Sequence, residues 1–202
     1  MDNIGLLGSA LGLGWLAGIR LYATVLAVGL ALRFHLLHLS AGMEHLNVLA
    51  DWRVLTAAGI GFFAEFFADK IPYLDSAWDA VHTFIRPVGA AVLAATALGD
   101  LDPALRTSLA ILVGGVALTS HSGKAATRAI VNHSPEPFSN VALSFLEDAI
   151  VPAGVWLATA HPVFTLCVVI VLVVLTVLFL RVAIRALRHT FGAIRRTTTT
   201  SA

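Results

Sequence analysis

From Val163 to Leu180 the chain runs without a charged side chain through an almost unbroken series of Val, Leu and Ile. A run of that length and apolarity folds as a helix whose solvent is lipid. The rest of the chain agrees: 58% of residues are hydrophobic and only 12% charged, and mean hydropathy is +0.86, outside the range of soluble domains. The expected fold is therefore all-α, a polytopic transmembrane helix bundle of about six spans, near 4–33, 52–70, 73–98, 104–121, 138–160 and 163–187. These form one domain, 1–187, followed by a basic, partly disordered cytoplasmic tail, 188–202. The lipid bilayer is the first partner such a chain needs. A formal net charge of +1 gives no reason to expect nucleic acid. The lone Cys167, inside the apolar run, rules out a disulfide framework and a cysteine metal cluster.

Against that background the polar residues stand out by their spacing. Asp75, Asp79, His82 and Arg86 recur at steps of four, three and four, so one face of a helix carries all of them. The opposite face, Leu74, Ala77, Ala80, Val81, Phe84 and Ile85, suits lipid. Polar stripes in membrane helices are costly unless they face a partner or a wet cavity, and they mark candidate functional sites. Pro87 ends the polar half of this helix and frees a carbonyl near Thr83. Just before it, Glu65 and Asp69 lie one turn apart, with Lys70 and Pro72 marking a helix end. In the first span Arg20 sits mid-segment, where it snorkels, pairs structurally or acts as counter-ion to these acids. The small-residue pairs Gly8/Gly12 and Gly14/Gly18 there allow close helix approach and make a homo-oligomer plausible.

A second polar stretch, Thr119 to Arg128, follows the fourth span. Ser120, Ser122 and Gly123 ahead of a short helix bearing Lys124 and Arg128 would form a cradle for a phosphate or carboxylate, although the spaced glycines of a nucleotide loop are missing. The proline-rich entry 134–137 leads to a span striped with Asn140, Ser144, Glu147 and Asp148. His35, His38 and His45 lie in a loop with no fixed ligand set, so a solvated loop outweighs a metal site there. Asn132-His-Ser134 spells a glycosylation acceptor only by chance.

Ile85-Arg-Pro-Val-Gly89 and Ile150-Val-Pro-Ala-Gly154 match at an offset of 65, which sets Asp75 over Asn140, Asp79 over Ser144 and His82 over Glu147. The match suggests an internal two-span repeat. The Arg-rich end of the chain belongs in the cytoplasm, and six spans would put both termini there.

Three stretches are long enough to be specific: Glu65 to Pro87, Gly123 to Arg128, and Asn132 to Asn140. Together they resemble the bacterial membrane family catalogued as domain of unknown function 4126. That resemblance implies a small multi-span protein of the bacterial cytoplasmic (inner) membrane and carries no activity with it.

The residues favour a transporter or channel for a small ion or polar solute. Glu65, Asp69, Asp75, Asp79, His82, Arg86, Glu147 and Asp148 would line the site, Asp79, His82 and Glu147 binding a cation or relaying protons. The runner-up is an intramembrane enzyme or lipid-headgroup handler, with Asp75, Asp79, His82 and Glu147 as candidate ligands of a divalent metal. Neither a nucleophile–base set nor an H-E-x-x-H motif supports it, so an enzyme is the less favoured class. The third reading is a scaffold whose buried charges only satisfy one another.

Overall fold

The computed structural model describes residues 3–37, 39, 42–131 and 138–199, with the side chains of 72, 73, 187 and 189–199 left aside. His38, the acceptor-like Asn132-His-Ser134, the proline-rich entry 134–137 and the end of the tail fall outside the described residues or side chains. Among the described residues every regular element is helical: α1 Asn3–Ile19, α2 Leu21–Arg33, a 3-10 helix Glu44–Ala50, α3 Trp52–Ala68, α4 Pro72–Ala97, α5 Pro103–Val131, α6 Phe138–Ala160 and α7 Pro162–Thr199. Among the described residues four helical stretches are long and apolar enough to cross a membrane: Leu74–Ala97, Pro103–Val131, Phe138–Ala160 and Pro162–Ala186.

Local chemistry sets several boundaries. The Asp102 carboxylate accepts the amides of Ala104 and Leu105 at 3.0 and 3.2 Å, with Pro103 at the first helical position of α5. Asp51 caps α3 in the same way through Arg53 N–H. Hydrogen bonds from the Arg53 side chain and amide hold the Asp51 carboxyl down at about 2. This cap is therefore complete above the ordinary carboxylate range and is lost only as pH falls through that value.

The expected first span, 4–33, is not one helix. Arg20 is extended, at φ −147° and ψ 90°, and divides it into α1 and α2. The two halves also do not run in one direction. Near its start α1 meets the beginning of α7, Gly8 lying against the Pro162 carbonyl, and it ends beside Ala117 and Ser120 of α5. α2 then returns, so that Gly29 packs on the Leu49 carbonyl and Leu55, and Arg33 donates to the Ala50 carbonyl at 3.2 Å. The 3-10 helix in turn joins the α4–α5 turn through His45 and Asp100, 2.9 Å apart. The segment is a hairpin that enters and leaves at one end of the bundle, with Arg20 at its tip. At about 1.5 Å per residue α1 reaches about 25 Å into the bundle. Irregular backbone at that depth survives only where protein covers it, and α1 is buried along most of its length against α4, α5, α6 and α7.

This explains the glycines. Gly8 and Gly12 receive α7 and α6 through Pro162, Thr165 and Ala158, while Gly14 and Gly18 receive α5 through Val113, Ala117 and Ser120. The small faces that suggested self-association are thus spent inside the chain. Gly18→Ala is expected to cost about 1–3 kcal/mol, because the new methyl meets the Ser120 hydroxyl and the Ala117 carbonyl. Gly115, on the same helix as those two residues but with open space around it, should accept alanine with no loss and a gain of up to about 1 kcal/mol. Thermal unfolding of both variants in detergent micelles checks the pair.

The α4 stripe behaves as its spacing predicts: Asp75, Asp79, His82 and Arg86 are buried, and the whole opposite face from Leu74 to Ile85 is exposed. α5 departs from expectation. It continues as helix to Val131 rather than ending near residue 121, so Ser120, His121, Lys124 and Arg128 become a buried stripe of a long membrane helix.

Candidate functional site

The break at Arg20 sets the chemistry of the bundle's interior. Backbone hydrogen bonds flank it, Arg20 N–H to the Leu16 carbonyl at 2.8 Å and Thr24 N–H to the Arg20 carbonyl at 3.0 Å, but the last carbonyls of α1 lose their helical donors. Cations replace them: Arg86 donates to Gly18 and Lys124 to Ile19, each at 3.3 Å. A helix C-terminus carries partial negative charge, so these contacts fit the macrodipole.

Around the break lies one continuous ionic network. Asp69, at the end of α3, is its hub, with Oδ2 2.9 Å from Arg20, 3.1 Å from Lys124 and 3.6 Å from Arg128. Glu147 on α6 takes Arg128 at 2.8 Å, Lys124 at 3.3 Å and Arg20 at 3.5 Å. Glu65 holds Arg86 at 2.5 Å, and Asp79 lies 3.3 Å from Arg86 and 4.0 Å from Lys124. Asp148 reaches Arg20 Nε at 3.2 Å, and Asp75 lies 3.9 Å from Arg128. Asn140 is bound into the same knot, accepting from Arg128 at 2.6 Å and donating to the Asp69 carbonyl at 3.0 Å. The Ser144 hydroxyl accepts from Arg20 at 2.9 Å.

Six carboxylates, Glu65, Asp69, Asp75, Asp79, Glu147 and Asp148, thus face five basic groups, Arg20, Lys70, Arg86, Lys124 and Arg128. Fully ionised, the cluster carries one net negative charge. Its cations are unevenly held. Among the described residues Lys70 has no carboxylate within ion-pair distance; its ammonium lies 3.1 Å over the Phe66 ring and 4.6 Å from Phe145, and donates to the Phe66 carbonyl at 3.1 Å. Both oxygens of Asp79, both of Asp148 and Oε2 of Glu65 accept no hydrogen bond from the described residues.

Two histidines flank this network in different ways. His82 donates from Nδ1 to the Trp78 carbonyl at 2.8 Å and meets the Tyr22 hydroxyl at 3.2 Å. His121 accepts the Arg86 guanidinium on Nδ1 at 2.6 Å, so its proton sits on Nε2, 3.1 Å from the Asp79 carbonyl. His121 carries no signal in the sequence, because it lies in a polar stretch that hydropathy sets beyond the span. Once α5 is extended, its position one residue after Ser120 and three before Lys124 is legible as part of the stripe.

Two expected arrangements change. The anion cradle of Ser120, Ser122, Gly123, Lys124 and Arg128 is not formed, since unbroken helix uses the backbone there. Ser120 and Ser122 donate to the carbonyls of Trp15 and Leu118, and both basic residues are bound to acids. As for the divalent-metal set Asp75, Asp79, His82 and Glu147, no three His, Cys, Asp or Glu among the described residues are grouped to hold a metal ion.

Two cavities touch the network beside α6. A cavity of about 320 Å³ between α1, α5, α6 and α7 ends on Lys124 and Glu147. A smaller one, about 180 Å³, between α2, α3 and α6, ends on Asp148. No curated protein and no solved structure matches the chain. A family model described as a domain of unknown function, DUF4126, matches residues 7–182, and the chain belongs to that family.

Proposed function

We propose that the protein moves a small ion or polar solute across the membrane, with the buried ionic cluster as its binding and coupling site. The observation that carries this reading is the surplus carboxylate around a broken helix. Uncompensated negative charge in a low-dielectric interior is expensive, and a proton or a cation relieves it. Asp79 and Glu147 share Lys124 across the cluster, so a charge bound at one carboxylate changes how firmly Lys124 is held by the other. Arg86 and Arg20 keep the remaining acids in place, and His121 joins Arg86 to Asp79.

Purified protein in liposomes, driven by a pH or cation gradient and followed with an internal dye, tests this reading. Glu147→Gln and Asp79→Asn are each expected to lower flux by at least about tenfold, the change that about 1.4 kcal/mol of barrier produces. Wild-type rates in both variants, for every ion tried, would remove the assignment. A purely structural role is the competing reading, favoured by the fact that Arg20, Arg86, Lys124 and Arg128 all have acidic partners.

The hairpin bears on orientation. With α1 and α2 entering and leaving at one end, α3 to α7 supply five crossings, and the termini emerge on opposite faces. Arg181, Arg185 and Arg188 support a cytoplasmic α7 end in a bacterial inner membrane, which would put the amino terminus outside. Tags at the two ends are expected to react with an impermeant reagent from opposite sides of the cell membrane; reaction from one side would restore an even number of crossings. A two-span repeat, α3–α4 with α5–α6, is supported by Asp75 and Asn140, 65 residues apart, which approach the same nitrogen of Arg128.

A further inference from the structure

The smaller cavity carries a substrate class. Its walls are apolar, formed by Leu26, Ala27, Leu30, Phe62 and Val151 among others, and Asp148 is the one charged side chain in its lining. Asp148 is held by one direct ion pair, while Lys70 acts on it only from beyond ion-pair distance. Among the described residues its only ion pair is with Arg20 Nε, a single N–H that also lies 3.5 Å from Glu147, and neither carboxylate oxygen accepts a hydrogen bond from them. Glu147, facing the larger cavity, differs in that both of its oxygens already receive Arg128. The backbone is also altered beside Asp148. Pro152 lies four residues further along α6 and has no N–H, so the Asp148 carbonyl has no i+4 donor. Pro152 itself lines the cavity, and it and Leu30 are exposed at its rim.

A carboxylate in the lining of an otherwise apolar cavity suits a group that brings several N–H donors and one positive charge, attached to an apolar body. The rim lies on the flank of helices that meet lipid, so such a molecule arrives sideways from the bilayer rather than from water. We infer that the cavity between α2, α3 and α6 binds the primary ammonium head of a small amphiphile, Asp148 taking the charge and the alkyl part resting on Leu26, Leu30, Phe62 and Val151. The inference rests on the transport reading in that it names the solute class for the same cluster.

Thermal unfolding of the full-length protein in an uncharged detergent tests it, with hexylammonium, hexanol and hexanoate as probes at matched concentration and ionic strength. A ligand that prefers the folded state raises the melting temperature. Hexylammonium is expected to raise it in a concentration-dependent way, with hexanol and hexanoate inert. Asp148→Asn should weaken the apparent affinity by about tenfold or more, the loss of one charge-assisted contact. Ala27→Phe, which fills the cavity and leaves the carboxylate intact, should abolish the shift and serves if Asp148→Asn folds poorly. An equal shift with hexanol or hexanoate, or an undiminished shift in both variants, overturns the inference. Flux measured in parallel separates the two readings. Flux without an amine-specific shift overturns this solute class alone, whereas an amine-specific shift without flux upholds the site and removes transport.

Discussion

Arg20→Met is expected to destabilise the protein by about 3–5 kcal/mol, the cost of removing one partner from a buried ionic network. Arg20 is fully buried, and its guanidinium meets Asp69, Asp148 and Glu147 while donating to the Ser144 carbonyl and hydroxyl. The three acids do not suffer equally. Asp69 keeps Lys124 and Arg128, and Glu147 keeps the same two cations. Asp148 has no second ion pair among the described residues. A second substitution should reveal this: Asp148→Asn in the Arg20→Met background is expected to recover more stability than Asp69→Asn, which removes the hub from two surviving cations. Arg20→Lys should fall between wild type and Arg20→Met, since it keeps the charge but cannot serve three acids and Ser144 at once. Unfolding temperature in micelles, with yield from the membrane fraction, reads all four variants. If Arg20→Met were as stable as wild type, the hairpin tip would not depend on the network.

How much of this was legible in the sequence depends on which signal each residue carries. Periodicity located Asp75, Asp79, His82 and Arg86 on one face and Leu74 to Ile85 on the other, because a membrane helix has only one way to sort such residues. The same reasoning placed Asn140, Ser144, Glu147 and Asp148 together on α6; the first three are buried and Asp148, turned aside from them, is half-buried. It failed where hydropathy and helix part company. Ser120 to Arg128 was too polar to be counted with the span, yet Lys124 and Arg128 find acids on α3 and α6, and that compensation is invisible until the helices are packed. The hairpin at Arg20 was hidden for the opposite reason. α1 and α2 are both apolar, no proline or glycine stands at position 20, and the turn is held by contacts from Arg86, Lys124 and Ser144 that lie between 66 and 124 residues away in sequence. The glycine pairs showed that something packs closely on α1; only the packed bundle shows that the partners are α5, α6 and α7 of the same chain.

The Glu65–Arg86 pair should show the largest imbalance between its two halves. Arg86 has several supports: Glu65 at 2.5 Å, His121 at 2.6 Å, and Asp79 and the Gly18 carbonyl at 3.3 Å. Glu65 is fully buried and Arg86 is its only ion-pair partner among the described residues. Removing the acid by Glu65→Gln leaves the guanidinium with Asp79 and the broken end of α1, so the loss is expected to be modest, about 1–2 kcal/mol. Removing the base by Arg86→Met leaves Glu65 without compensation and takes the donor from His121 and from the Gly18 carbonyl, so the loss is expected to reach about 3–5 kcal/mol. Glu65→Met with Arg86→Met should be more stable than Arg86→Met alone, because the stranded charge is gone. The double-mutant cycle built from Glu65→Met, Arg86→Met and their combination reports this coupling directly, and unfolding in micelles supplies its four corners. Equal losses from Glu65→Gln and Arg86→Met would mean that Asp79, His121 and Gly18 do not hold Arg86. Without that hold, Arg86 could not tie the end of α1 to the acids on α3 and α4, and the broken end of α1 would lose one of the two cations that cover its carbonyls.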